Sequence, residues 1–515
     1  MPSANDYVFE DGRPIRKDHL PDKWAKKDAQ DRLANPFLSD QKDIHSEGES
    51  IAPTEQKEES RETSFAMLNG CLYEQICKDK QSAFVEYNIS TGKTQTVTHI
   101  LDGKVKLLPQ QGEELELEAI KLPTGVVEYG DSLSLQREIE TYLLKYLDVP
   151  DTFRKFGTYY IMFSWLYDRF STLSYVRAIG DTGCGKSRLL DVIGLLCYKA
   201  TLASGCITPA PIYRLLRRWN GTMVLDEADF QNSDEYNEVV KILNCGFERN
   251  RPVIRATKDN PDKLQFLPTF GPKVFATRRR FKDPALEARC LTEIMQETTR
   301  EDIPVTLSKT FYEEQEILRN KLLLFRLRTY TQVNPDEIGN LDLKGIELRL
   351  RQISAGFASL FAKEPEVLAV FQAFIRHHQR EIIEQRAATL TGQVVEKFFA
   401  LTESHTNVAI VALDAPVTGE KLIPVSSKDI AESLSMTSQA VGQILKTLGL
   451  KTKWTRIAGS PKRCIVYDTV KLATLKRRYI LPEEDDATTA TIETTVLDSD
   501  LGNSVNHCQQ ATPLP

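Results

Sequence analysis

The sequence predicts a multidomain α/β chain. Its centre is a parallel sheet flanked by helices, preceded by a small β-rich domain and followed by a helical region and a helix-turn-helix unit. Three observations carry this expectation. A short β-type run, Tyr175–Ile179, enters a glycine-rich turn that opens into a helix at Lys186-Ser187. A second buried-type run, 221–226, ends in the acids Asp226-Glu227. The segment 427–450 has the spacing of two helices joined by a tight turn.

A chain of 515 residues has room for about three or four domains. Its 41% hydrophobic and 27% charged residues are those of a globular protein. The most apolar window, 159–166, is too short to cross a bilayer and is followed by Asp168 and Arg169. No charged-then-apolar leader opens the chain, so the expectation is a cytoplasmic protein with no membrane partner. Nine cysteines without a C-x-x-C pair fit a reducing compartment and carry no zinc signature. The net charge of −6 is unevenly spread. Residues 1–62 hold 15 acids against 10 bases, 483–515 hold 7 acids and no Lys or Arg, and 421–480 hold 12 bases against 3 acids. That basic block points to a polyanionic partner.

In order, 1–62 is polar and without periodicity and is expected to be a disordered tail, in which 36–38 (P-F-L) reads as linker or short docking motif. From 63 to 130, short apolar runs alternate with Gly, Pro and Asn, as in a small β-rich domain serving docking, oligomerisation or structure alone. Residues 131–172 form a helical connector. Leu135, Ile139, Leu143 and Leu147 share one face of its first helix. The second carries Tyr159, Tyr160, Phe163, Trp165 and Tyr167. These surround the helix, which favours packing over stacking on nucleic-acid bases.

The stretch 173–298 reads as the nucleotide core. Gly180, Gly185, Lys186 and Ser187 fit G-x-x-x-x-G-K-[ST], with Asp181, Thr182, Gly183 and Cys184 in the variable positions. Glycines let backbone N–H groups wrap phosphates, and the helix start adds positive potential. Lys186 reaches the outer phosphates of ATP, and the Ser187 hydroxyl is placed to ligate Mg²⁺. Asp226, at the end of a strand beside this loop, supports the Mg²⁺ shell, and Glu227 orients and deprotonates the attacking water. A hairpin follows around an Asn-Pro turn, carrying Arg251, Arg255, Lys258 and Lys263. Then come the strand 273–277 and a short helix started by Asp283-Pro284 and ending near Arg289.

These residues resemble an AAA+ ATPase of the replicative-helicase branch, meaning superfamily 3 viral and plasmid helicases and minichromosome-maintenance helicases. The marks are G-D-T-G-C-G-K-S, T-M-V-L-D-E-A-D, the hairpin, the strand F-A-T, and D-P-A-L-E-A-R-C. They cover about a quarter of the chain (174–295). The resemblance implies a sensor at Thr277; the family commonly has Asn there, and in this chain Thr277-Arg278 stands in its place. It also implies a finger at Arg289 reaching the γ-phosphate of a neighbouring subunit, hence a homo-oligomer, a hexamer in this family. Arg289 also fits as a helix-terminal arginine completing the dipole. Residues 299–404, helical throughout, correspond to the family's lid.

Residues 405–481 read as a winged helix. Ser427 and Ser438 are the expected N-caps, and Ile430, Ala431, Leu434, Val441, Ile444 and Leu445 the buried seam. Two strands follow, joined by 458–461, and then a basic helix. Ser438, Gln439, Gln443 and Lys446 would face the major groove of duplex DNA, with Lys462 and Arg463 near phosphates. Winged helices also join proteins, but the local charge favours DNA. Residues 482–515 are expected to be a disordered acidic tail. Two functions fit: an ATP-driven DNA motor of helicase type, with single-stranded DNA in its ring, in replication of a phage or mobile element; or an ATP-switched initiator, regulator or loader that does not unwind.

Overall fold

Apolar β-type runs bounded by Gly, Pro and Asn set the strand framework of this chain. Its computed structural model describes residues 7–10, 13–16, 59–204, 207–229, 234–256, 262–337, 341–406, 422–457 and 460–481. The first unit holds β1 (Tyr7–Glu10) and β2 (Arg13–Arg16), an antiparallel pair in which Tyr7 faces Arg16 and Glu10 faces Arg13. That hairpin lies inside the segment expected to be disordered, where 7–10 (Y-V-F-E) is a short apolar β-type run. The acidic tail lies outside the described residues.

The second unit begins at Glu59. Here β3 (Glu59–Thr63), β4 (Phe65–Leu68), β5 (Cys71–Lys78), β6 (Gln81–Asn88), β7 (Thr94–Val97), β8 (Ile100–Asp102) and β9 (Val105–Pro109) form two small sheets, β3-β9-β8 and β4-β5-β6-β7. The β-rich domain therefore starts four residues earlier than the polar composition of 59–62 suggested, because β3 is held by parallel pairing with β9 rather than by burial. Its last strand leaves it altogether. β10 (Ile120–Lys121) pairs antiparallel with the edge of the nucleotide sheet.

That sheet runs β10-β12-β13-β16-β11-β17, with β11 (Tyr175–Ile179), β12 (Ala200–Ser204), β13 (Met223–Asp226), β16 (Lys273–Thr277) and β17 (Cys290–Ile294) all parallel. Between β13 and β16 the chain makes a separate hairpin, β14 (Val253–Ala256) with β15 (Leu264–Leu267). β11 and β16 are buried along their whole length, as parallel strands covered on both faces are. The phosphate-loop strand lies beside β16 and β17, while the strand next in sequence, β12, lies three places away. The carboxyl ends of such neighbours, distant in sequence, are where ligand clefts form in open α/β sheets.

The helix after the phosphate loop runs from Lys186 to Val192 and gives way to a 3₁₀ turn, Gly194–Leu196. Gly194 sits against β13: a Cβ there would meet Val224 Cγ1 at 2.9 Å. The connector and lid are not separate bodies. Helices Ser132–Tyr146, Asp151–Ser164, Lys309–Thr329, Leu348–Leu360 and Pro365–Ala387 share one apolar core with the sheet. The aromatic residues of Asp151–Ser164 pack as expected, with Phe156 stacked on Phe374 at 4.2 Å and Tyr160 and Phe163 buried.

A buried ionic network joins the β-rich domain to this body. Glu74 on β5 accepts from Arg326 Nε at 2.5 Å and lies 3.0 Å from Lys199 Nζ, while Tyr198 OH donates to it at 2.9 Å. Arg326 also grips Asp168 with two hydrogen bonds, 2.7 and 2.8 Å. Burial opposes the charge on Asp168, but Arg326 and Arg249 hold its carboxyl below the usual carboxylate range.

A second core lies at the C-terminal end. Helix Leu390–Thr406 contributes Val394, Val395 and Phe398 to it, so this unit begins within the expected lid rather than at 405. The rest is β18 (Leu422–Ile423), helices Ser427–Leu434 and Ser438–Thr447, β19 (Thr452–Ile457), β20 (Ser460–Val466) and helix Thr469–Tyr479. The strands form one sheet in the order β18-β20-β19. Ile430, Ala431, Val441 and Leu445 are buried, and Leu434 and Ile444 pack against them. The caps sit one residue earlier than expected. Ser426 forms a capping box with Asp429, and Thr437 accepts from the Ala440 N–H at 3.2 Å. Among the described residues no helix is long and apolar enough to cross a membrane.

Candidate functional site

β11 delivers the phosphate loop. Arg177, buried in this strand, takes Glu287 in a bidentate pair at 2.5 and 2.6 Å and Thr292 Oγ1 at 2.9 Å, which pins β11 to the short helix Pro284–Glu287 and to β17. Beyond Ile179 the chain turns through Gly180, where a Cβ would meet Cys184 Sγ and the Met295 carbonyl, each at 2.7 Å. Gly183 and Gly185 adopt φ of +88° and +90°, conformations that L side chains resist. The Cys184 thiol, buried, donates to the Asp181 carbonyl at 3.0 Å and so closes the loop from inside. Lys186 Nζ donates to the carbonyls of Gly180 and Asp181, at 2.8 and 2.5 Å. These hold the ammonium across the loop that Thr182 and Gly183 complete.

The acids arrive from β13. Ser187 Oγ donates to Asp226 Oδ2 at 2.8 Å, and Asp226 Oδ1 accepts the Glu227 N–H at 2.8 Å. Glu227 has φ +51°, left-handed, so its side chain leaves the strand at an angle a regular β residue would not take. Lys186, Ser187, Asp226, Glu227 and Thr277 line one cavity of about 330 Å³ at the carboxyl edge of the sheet. Thr277 is fully buried, and among the described residues its Oγ1 has no hydrogen-bond partner although the residue lines this cavity. The Ser187 hydroxyl and Asp226 carboxylate are hard oxygen donors side by side, the donor set that suits Mg²⁺. Among the described residues no three His, Cys, Asp or Glu side chains gather as a metal site of their own.

One contact here is not legible in the sequence motifs. Arg278, next after Thr277, places Nη2 at 3.2 Å from Glu227 Oε1 and lines the same cavity. Asp229 Oδ1 accepts the N–H groups of Arg278 and Arg279, at 2.7 and 3.3 Å. The last acid of D-E-A-D thus fixes the turn after β16. The Arg278–Glu227 pair is 59% and 72% exposed, and a pair so exposed is worth at most about 1 kcal/mol.

Arg289 sits differently from a residue that reaches out to a neighbour. It is buried, its guanidinium lies 4.3 Å from the centre of the Phe247 ring, and Nη1 donates to the Ala285 carbonyl. Arg349 covers the same ring at 4.8 Å. Burial, together with the like charge of Arg349, pushes the Arg289 guanidinium below the ordinary arginine range. In this conformation Arg289 caps its own helix, and only leaving Phe247 would bring it to another subunit.

The hairpin β14–β15 also faces otherwise than its charge suggests. Arg255 turns toward the body, paired with Glu238 and 5.2 Å over the Tyr213 ring. The opposite face carries Ile254 against Phe266 and Ala256 against Leu264, with Ile254, Leu264 and Phe266 each more than half exposed. Lys263 is exposed at the end of the described part, and Lys258 lies outside the described residues.

At the C-terminal unit, Ser438, Gln439, Gln443, Lys446 and Arg463 line one open depression of about 730 Å³. Arg463 Nε donates to Thr452 Oγ1 at 2.7 Å, which steadies the strand β20 beside helix Ser438–Thr447. Lys462 is not in that group. It pairs with Asp429 at 2.8 Å, on the cap of the preceding helix.

No family model matches the sequence, and no curated protein matches it either. Among solved structures the chain is similar to the C-terminal region of NrS-1, at 14% identity over 77% of this chain and 96% of that one, with a TM-score of 0.36. It is also similar to a full-length MCM homologue from Methanopyrus kandleri, at 11% identity, 60% and 73% coverage and a TM-score of 0.30. For the JCV helicase the identity is 10%, the coverage 48% and 66%, and the TM-score 0.23.

Proposed function

We propose that this protein is a Mg²⁺-dependent ATPase of the AAA+ helicase type that works on DNA as a homo-oligomer, a hexamer when assembled on its strand. The observation that carries the reading is the convergence of Lys186, Ser187, Asp226 and Glu227, from two buried strands, on one cavity. Lys186 and the N–H groups of the loop take the phosphates. Ser187 and Asp226 would hold Mg²⁺, which supplies charge neutralisation when bound. Glu227 orients a water and accepts its proton while the water oxygen bonds to the γ-phosphorus. The bond to the bridging oxygen breaks, and ADP leaves with that electron pair. Thr277 offers its unpaired hydroxyl to the same region.

Coupling to DNA rests on the C-terminal depression. Helix Ser438–Thr447 presents Ser438, Gln439 and Gln443 on one face, and Lys446 and Arg463 bracket them with positive charge. Amide and hydroxyl groups between two cations suit base edges flanked by phosphates. The turnover test is Lys186→Ala, which should abolish hydrolysis that single-stranded DNA otherwise stimulates. Turnover at the wild-type rate would refute the site.

A second reading, an ATP-switched DNA-binding initiator without unwinding, gains support from Arg255, whose side chain is committed to Glu238 and Tyr213 rather than to a DNA track. Displacement of a strand from a forked duplex separates the two. Unwinding that is lost on replacing Lys263 and Phe266 favours the motor, and ATP hydrolysis without displacement favours the switch.

A further inference from the structure

We propose that a cavity at the amino edge of the sheet takes one nucleotide. The base lies against the half-buried Phe65 and Phe270 rings, its edge meets the Asn220 and Asn250 amides, and the phosphate meets Arg251. The inference rests on the DNA reading above and adds to it a site to which no sequence motif points.

The cavity measures about 420 Å³, a size that admits one nucleotide. Its walls come from the segments that lead into β12, β13, β14 and β16, and from Phe65 of β4. The phosphate cavity stands at the opposite ends of β13 and β16, so a strand length, on the order of 15 Å, separates the two. Hairpin β14–β15 is rooted here, since Pro252 precedes β14, Pro268 follows β15, and both line the cavity. An occupant would therefore touch both feet of the hairpin.

Charge and ring chemistry identify that occupant. Arg249 lies 5.3 Å from the centre of the Phe270 ring and donates through Nη2 to the Asp168 carbonyl. Its Nε is buried and has no hydrogen-bond partner among the described residues. Such an orphaned donor is costly, and an acceptor oxygen on a ligand would satisfy it. Arg251 is 61% exposed and pairs with Glu248 through Nε, at 2.8 Å. Its outer nitrogens keep the geometry that suits phosphate oxygens. The Asp168 carboxylate on the same wall is already taken by two bonds from Arg326, so it does not cancel these cations. Asn220 and Asn250 are exposed, in left-handed backbone at φ +47° and +63°. An Asn amide reads a base edge with donor and acceptor together, and aromatic rings stack on any base. An apolar peptide would leave both guanidinium groups and both amides without partners. The same chemistry arrives as a link of a single DNA strand or as a free mononucleotide.

Photo-crosslinking and titration of the full chain test the inference. Oligo(dT) carrying 5-iododeoxyuridine should form adducts on the peptides that hold Phe65 or Phe270. Arg251→Ala together with Asn250→Gly, which keeps the left-handed turn, should weaken oligo(dT) on the order of tenfold. Binding of a non-hydrolysable ATP analogue should be unchanged, which shows the sheet intact. Titration of dTMP into chains carrying Lys186→Ala, which silences the phosphate loop, separates the two sources. Weakening of oligo(dT) alone identifies a strand link, and equal weakening of dTMP identifies a mononucleotide site. Unchanged affinity for both probes, or adducts confined to the C-terminal unit, would overturn the proposal. A chain that binds neither oligo(dT) nor duplex would instead refute the DNA reading, and dTMP would still test the cavity.

Discussion

The nucleotide cavity and the C-terminal depression are built on opposite plans. The cavity takes its groups from the ends of β11, β13 and β16, strands of a sheet whose core extends from Leu72 to Ile375. The depression takes its groups from the surface of a short helix and one strand over a small separate core. Phosphoryl transfer gains from groups that cannot move, because preorganised charge costs no rearrangement during reaction. Reading a polyanion gains from exposed side chains, whose contribution is mostly counterion release. Buried strands therefore support the proposed ATP site, and a small exposed helix and strand the proposed DNA surface.

The largest test of this contrast lies far from either site. Removing Glu74 leaves Arg326 and Lys199 buried with one carboxylate fewer, so Glu74→Ala should cost about 3–5 kcal/mol. Denaturant unfolding of the full chain measures it. A loss below about 1 kcal/mol would mean that the network does not hold the body together. Next in size, Lys446→Ala and Arg463→Ala should each weaken duplex binding across sequences and lower the salt slope by about one. If nucleotide affinity fell with them, the two regions would be one site after all.

Ser426→Ala should cost about 1 kcal/mol through loss of the capping box, confined to the C-terminal unit and visible as loss of amide protection there. A further effect is pH-dependent. Burial, and then the neighbouring Glu381, pushes the Glu293 carboxyl up to about 8 from 4.5. Between those values the folded chain binds a proton that the unfolded chain releases, so this residue's contribution to stability falls as pH rises from 4.5 to 8. Glu293→Gln should therefore raise Tm more at pH 8 than at pH 5, and an equal shift at both would refute the assignment.

Local chemistry was legible in the sequence, and orientation was not. Gly180–Ser187 and Asp226-Glu227 can be read because spacing along one strand–loop–helix unit fixes their geometry. The Arg278–Glu227 contact could not be read because the two residues follow strands that become neighbours only through the sheet order β13-β16-β11. Arg255 looked like a DNA contact because a hairpin's two faces alternate, and residue type suggested charge outward. The body supplied Glu238 and Tyr213 on that side and left Ile254 and Phe266 outside. The helical connector and lid read as separate because each has its own periodicity. Ring contacts such as Phe156 on Phe374, Tyr159 on Phe361 and Tyr146 on Phe311 show that their apolar faces meet.

The two-residue strand β10 closes one edge of the parallel sheet. It covers the outer edge of β12, where the N–H of Leu202 also bonds to the Ala119 carbonyl. Open strand edges invite edge-to-edge aggregation. Leu202, 41% exposed next to that pairing, would make such an edge sticky. A chain begun at residue 131, after the apparent β-rich domain, would keep every phosphate-binding group yet bare this edge. It should precipitate where a chain begun at residue 59 remains dispersed, and light scattering on the two would show it. In the intact chain this edge of the sheet is closed from within, by β10.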